Sequence, residues 1–171
     1  MSDQPAATAT PWRTDPGTLQ ARLAAWARHV YGDDAAVTGV EAPDSGMANE
    51  TVLFTLDSER LVARLTPAPD SLFPTFRTYD LEFQCRVMDL VRARTTVPVP
   101  DVVHLETSAE WLRVPFLVTR AVDGVVPSDN PPYLLDPGGW FLEGTPEQWK
   151  RFEQSTIDVF VRLHRVRDDG D

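Results

Sequence analysis

Hydrophobic positions change their spacing several times along this chain. Leu19, Leu23, Trp26 and Val30 recur at i, i+4, i+7 and i+11, which is one face of an α-helix. Asp15-Pro16 opens that helix, with Pro16 near its first position, and Gly32 ends it. The spacing then shortens to that of strands. Residues 35–43 (AAVTGVEAP), 49–56 (NETVLFTL) and 61–65 (LVARL) each read as a strand, and the turn 57–60 (DSER) joins the last two as a hairpin. A proline-rich loop covers 66–74. A second helix follows from about Tyr79 to Arg94, with Leu81, Val87, Met88 and Val91 as its apolar stripe. VPVP (97–100) is extended, because a residue before proline is pushed out of the helical region. Residues 102–106 (VVHLE) and 115–122 (PFLVTRAV) read as two further strands joined by a polar turn.

After Gly124 the texture changes. Pro127, Pro131, Pro132, Pro137, Gly138, Gly139 and Gly144 mark a linker or irregular crossing segment. Thr145 and Gln148 have the spacing of a capping box. They start a last helix, to about Arg165, with Trp149, Phe152, Ile157, Phe160 and Val161 on its apolar side. The first 14 residues are polar and rich in Pro, Ala and Thr, and are expected to be disordered. The class is α+β, and the chain carries no internal repeat.

Charge narrows the function. A formal net charge of −10 disfavours non-specific nucleic-acid binding and anionic membrane surfaces, both of which need a basic face. A polyanionic ligand would need a local cation or a metal ion. Cys85 is the only cysteine, so no intramolecular disulfide and no thiolate metal cluster form; its apolar helical setting predicts a buried structural thiol. No apolar run reaches membrane-spanning length, and MSDQPAATATPW has neither the basic nor the apolar part of a leader. A soluble, cytoplasmic protein is expected. His29, His104 and His164 lack a carboxylate or second histidine at ligand spacing, and read as structural.

Six stretches, in order, carry a family likeness: SGMANETVLF (45–54), LVARLTP (61–67), YDLEFQCRVMDLV (79–91), VPVPDVV (97–103), PFLVTRAVDG (115–124) and VFVRLHRV (159–166). Together they resemble the aminoglycoside phosphotransferase family, of kinase-like fold, in the bacterial branch known simply as phosphotransferase family proteins. The likeness implies a protein-kinase-like small lobe over 15–122, an antiparallel sheet of about five strands plus a helix. A hinge and linker would follow over 123–145, and the first large-lobe helix with an acidic tail over 146–171. It implies ATP as ligand and, in the full-length relative, phosphorylation of a small-molecule hydroxyl.

The likeness also assigns residues. Ser45, Gly46, Ala48 and Asn49 would form the turn whose backbone N–H groups meet phosphate oxygens. Arg64 stands where the family places its phosphate-binding cation, and a guanidinium can hold phosphate through two hydrogen bonds. Strand alternation puts Val62 and Arg64 on one face and Leu61, Ala63 and Leu65 on the other, without saying which face is the cleft. The helix should supply a carboxylate for the cation. Glu82 is the acid in its middle, whereas alignment on Arg86, Val87 and Met88 selects Gln84. Thr119, Arg120, Ala121 and Val122 match the hinge, whose backbone reads the adenine edge.

The family's phosphoryl-transfer chemistry uses a catalytic-loop aspartate, an asparagine five residues later for Mg²⁺ and a second metal-binding aspartate. Asn49 and Asn130 are the only asparagines, and both precede the last helix. Asp44 and Asn49 have the D-x-x-x-x-N spacing but flank the first turn. LHRVRDDGD at the C-terminus reads as a helix end and a solvated acidic tail. The expectation is a truncated phosphotransferase with no catalytic or metal residue of its own, Mg²⁺ entering only with the missing large lobe, and no meaningful phosphotransfer by this polypeptide alone. Alternatives are a non-catalytic, pseudokinase-like module that binds nucleotide or protein, and a plain α+β interaction domain. The apolar side of the last helix, lacking large-lobe partners, predicts self-association or poor solubility. Light scattering at high concentration is expected to show species above the monomer mass; a monodisperse monomer would overturn this.

Overall fold

Helix α1 (Pro16–Tyr31) begins where the sequence provides a cap. In the computed structural model, which describes residues 15–42, 50–67, 79–127 and 131–167, the Asp15 carboxylate accepts the Thr18 backbone N–H at 2.9 Å. Pro16 occupies the first turn, where its missing N–H costs nothing. The buried face is Leu19, Leu23, Trp26 and Ala27, so Ala27 takes the inward place expected of Val30, which is half-buried.

The remaining elements are β1 (Val37–Glu41), β2 (Glu50–Leu56), β3 (Glu59–Leu65), α2 (Leu81–Arg94), β4 (Val102–Glu106), β5 (Phe116–Arg120), a 3-10 turn (Tyr133–Leu135) and α3 (Pro146–Leu163). The strands form one sheet in the order β1-β2-β3-β5-β4. This is the α+β small lobe that the sequence led us to expect. The chain divides into two compact units: Met1–Tyr79 with Glu106–Val118, and Asp80–Leu105 with Thr119–Asp171.

The first unit is built around Trp26. Its indole is fully buried and meets Tyr31, Phe54 and Phe116 edge to face, at centroid distances of 5.7, 6.4 and 5.4 Å. The β2–β3 hairpin supplies Val52, Phe54, Leu61, Ala63 and Leu65 to the buried set. Its loop is shorter than the four residues expected. Leu56 pairs with Glu59, so only Asp57 and Ser58 turn the chain, and Glu59 and Arg60 belong to β3. Asp57 makes this possible by accepting a left-handed φ of 56°, and its carboxylate takes the Ala36 N–H at 3.0 Å. β1 is shorter than 35–43 because its register slips between Thr38 and Glu41, at Gly39, whose φ of 61° suits a bulge.

The connection from β4 to β5 is more than a polar turn. Leu112 and Val114 are buried, Trp111 lies against the His29 ring at 4.9 Å, and Arg22 Nη1 donates to the Trp111 carbonyl at 3.0 Å. β5 starts at Phe116, after Pro115, whose carbonyl accepts the Thr66 N–H at 3.0 Å.

In the second unit, α2 starts two residues later than Tyr79 because the Asp80 carboxylate caps the Phe83 N–H at 2.7 Å. Its buried residues are Leu81 and Val91, with Cys85 and Met88 half-buried between them. Val87 was placed on this stripe by the sequence but is exposed, being about 120° round the helix from Leu81. The Cys85 thiol is likewise not fully buried. The segment before α3 is not featureless. Tyr133, Trp140, Phe141 and Trp149 gather with Phe152, all ring centroids within 6.2 Å of Phe141 or 5.9 Å of Phe152. Trp149 Nε1 donates to the Phe141 carbonyl at 2.6 Å. Gly144 permits that approach, since a Cβ there would lie 2.9 Å from the indole nitrogen.

Helix α3 opens with the expected capping box: Thr145 Oγ1 accepts the Gln148 N–H and Gln148 Oε1 accepts the Thr145 N–H. It ends at Leu163, slightly before the expected Arg165, with His164 as its C-cap. None of its residues is buried, and Ile157, Phe160 and Val161 are exposed by 49%, 57% and 42%. No helix among the described residues is long and apolar enough to cross a membrane.

Two outcomes follow. Trp26→Ala should cost about 3–5 kcal/mol in denaturant unfolding, since the cavity it leaves is lined by rings that cannot all close on it. Burial raises the Cys85 thiol pKa, and the carboxylates of Asp89 and Glu82 raise it further. Less thiolate is then present at neutral pH, so maleimide labelling of the folded chain should be slower than that of free cysteine. Its pH profile should lie to higher pH, and Glu82→Gln should speed labelling at fixed pH.

Candidate nucleotide site

The β2–β3 hairpin decides where its cation points. Leu61, Ala63 and Leu65 are 0%, 0% and 2% exposed, so that face of β3 is the core face. Arg64 is therefore on the opposite face, exposed, with Thr51 across from it on β2 and the half-buried Val62 beside it. The alternative read from the sequence is resolved: the Arg64 face is the one turned away from the apolar core of its unit. Tyr79 lies near it. Burial raises the Tyr79 phenol pKa, and the Arg64 charge opposes part of that rise. Sequence reasoning did not associate these two residues, because the chain between them is a long loop. Ser45, Gly46, Ala48 and Asn49 lie outside the described residues.

Glu82 and Gln84 sit in the first turns of α2, in the second unit. Glu82 is exposed and Gln84 half-buried. A carboxylate in the first turn is favoured by the positive end of the helix dipole, whatever else it does. It also contributes to the raised pKa of Cys85, three residues on.

The expected hinge residues fall at the end of β5. Thr119 is 4% exposed, Arg120 is the last strand residue, and Ala121 and Val122 follow it out of the sheet. Val122, Val125 and Val126 are exposed by 73%, 70% and 83%. Little apolar burial holds this stretch, so its start must be fixed by other means.

A polar junction does so. Asp101 precedes β4, and its backbone carbonyl accepts the Arg120 N–H at 2.9 Å. Its carboxylate lies 3.7 Å from Arg120 Nε and 3.1 Å from Arg92 Nη2. Arg92, near the end of α2, also donates to the Pro100 carbonyl at 2.6 Å and to Asp89 at 3.1 Å. Thr96, in the same segment, accepts from Arg162 of α3 at 3.1 Å. The sequence marked residues 97–100 only as extended. Nothing in local spacing relates Arg92 to Asp101 or to Arg120.

The histidines take structural positions. His29 packs on Trp111, and His164 caps α3 with its N–H to the Phe160 carbonyl. Among the described residues, no group of three or more His, Cys, Asp and Glu side chains is placed to hold a metal ion.

Comparison with known proteins agrees with the order of motifs. The profile of the phosphotransferase enzyme family matches residues 39–171. Among solved structures, the chain is similar to a candidate aminoglycoside phosphotransferase from Ralstonia eutropha JMP134, at 26% identity and a TM-score of 0.45. The match covers 62% of this chain and 28% of that one. The chain thus spans well under a third of that relative's length. With the family profile covering most of its residues, this chain belongs to the phosphotransferase enzyme family.

Proposed function

We propose that this chain is the nucleotide-holding part of an ATP-dependent phosphotransferase that phosphorylates a small-molecule hydroxyl. One observation carries the reading: Arg64 stands on the open face of the β2–β3 hairpin in a chain of net charge −10. An acidic protein repels a triphosphate at long range, so binding requires a local, accessible cation. Arg64 is such a cation, held by a strand whose other face is locked in the core.

In this reading residues 15–122 are the small lobe, 123–145 the hinge and linker, and 146–171 the start of a large lobe. The backbone of Ser45, Gly46, Ala48 and Asn49 cradles phosphate oxygens, and Arg64 holds them by charge-assisted hydrogen bonds. Glu82 or Gln84 orients Arg64. The backbone of Thr119, Arg120, Ala121 and Val122 meets the adenine edge. We assign no Mg²⁺ ligand and no catalytic base among the described residues. The setting would be the cytoplasm of a bacterial cell, where ATP is made.

Titration of the chain with ATP, followed by calorimetry, tests this. Arg64→Ala should weaken binding roughly 10- to 100-fold, the worth of a charge-assisted hydrogen bond. Its unfolding free energy should change by no more than about 0.5 kcal/mol, because the side chain is exposed. No ATP binding by the unsubstituted chain, or equal binding by the variant, would overturn the proposal.

A further inference from the structure

We infer that Asp101 is a positioning residue for the nucleotide base, acting through Arg120. The inference rests on the reading above, in which the backbone after β5 meets the adenine edge. It adds a residue outside that stretch on which base recognition depends.

The geometry is one of anchorage. Residues Ala121 to Pro127 leave the sheet with Val122, Val125 and Val126 largely in solvent. A segment with so little burial has many accessible conformations of similar energy. Its position is set by the last residue that is firmly held, and that residue is Arg120. Asp101 holds it twice, by its carbonyl on the Arg120 N–H at 2.9 Å and by its carboxylate near Nε at 3.7 Å. Asp101 is itself fixed from α2, through Arg92 Nη2 at 3.1 Å and the adjoining Pro100 carbonyl, also on Arg92 Nη2, at 2.6 Å. Arg92, Asp101 and Arg120 therefore form a chain of contacts from the helix to the residue that starts the hinge. Each ion pair is exposed and weak by itself. Together they set the direction in which the next two peptide groups point, and that direction is what an adenine edge would read.

A base-positioning role and a merely stabilising one differ in what they do to two nucleotides sharing a triphosphate. ATP and inosine triphosphate differ at the base edge, where an amine is replaced by a carbonyl. Calorimetric titration of the chain with both nucleotides gives their affinity ratio. Asp101→Asn keeps the backbone carbonyl and removes the charge pairs. It should lower that ratio by about three- to tenfold, the loss falling mainly on ATP. Arg120→Gln, which leaves the Arg92–Asp101 pair in place, should lower it similarly. Arg120→Lys should keep most of it. Equal losses for both nucleotides, or an unchanged ratio in Asp101→Asn and Arg120→Gln, overturn the inference while leaving the ATP site standing. An unsubstituted chain that binds ATP without preferring it over inosine triphosphate overturns both this inference and the assignment of the hinge to the base. A chain that binds neither overturns the nucleotide reading itself.

Discussion

The register of the β2–β3 hairpin is the constraint on which the rest of the candidate site depends. Strand side chains alternate, so shifting β3 by one residue would exchange its two faces. Leu61, Ala63 and Leu65 would lose their burial, and Arg64 would be driven into the apolar core. Burying that guanidinium without a partner is far costlier than burying any of the three apolar residues is favourable. The two-residue loop at Asp57 and Ser58 fixes the same register from the other end. Core packing and turn geometry thus agree, and Arg64 is left outward because nothing else can be.

The acidic character of the chain gives that outward cation its significance. With 26 acidic and 16 basic residues, the long-range field is negative. A site for a polyanion must then be a local exception held in place by short-range packing. The buried face of β3 provides the holding, and Arg64 the exception. Membership of the phosphotransferase enzyme family gives such a site its natural occupant.

The second unit is held differently. Its helices bury little: α2 has only Leu81 and Val91 fully covered, and α3 has no buried residue at all. Order there comes from caps, from the aromatic group around Phe141, and from polar contacts that converge on residues 95–101. Thr95 closes α2, Thr96 receives Arg162, and Pro100 and Asp101 receive Arg92. Each contact is modest, and their strength lies in meeting on one short, proline-stiffened segment. Such a segment can hold a strand end in place without a large core beneath it.

The sequence by itself determined what short-range physics controls. Asp15 with Pro16 placed the start of α1, the Thr145–Gln148 pair placed that of α3, and alternation along LVARL separated Arg64 from its apolar neighbours. These signals lie within a few residues of their effect, because caps satisfy nearby N–H groups and strand faces follow a period of two. Only the tertiary structure decided which face of β3 is covered, that Val87 is exposed while Cys85 and Met88 turn inward, and that His29 packs on Trp111. It alone brought Arg92, Asp101 and Arg120 together. Each of these depends on residues far apart in the chain, and local periodicity carries no information about which distant surface a side chain will meet.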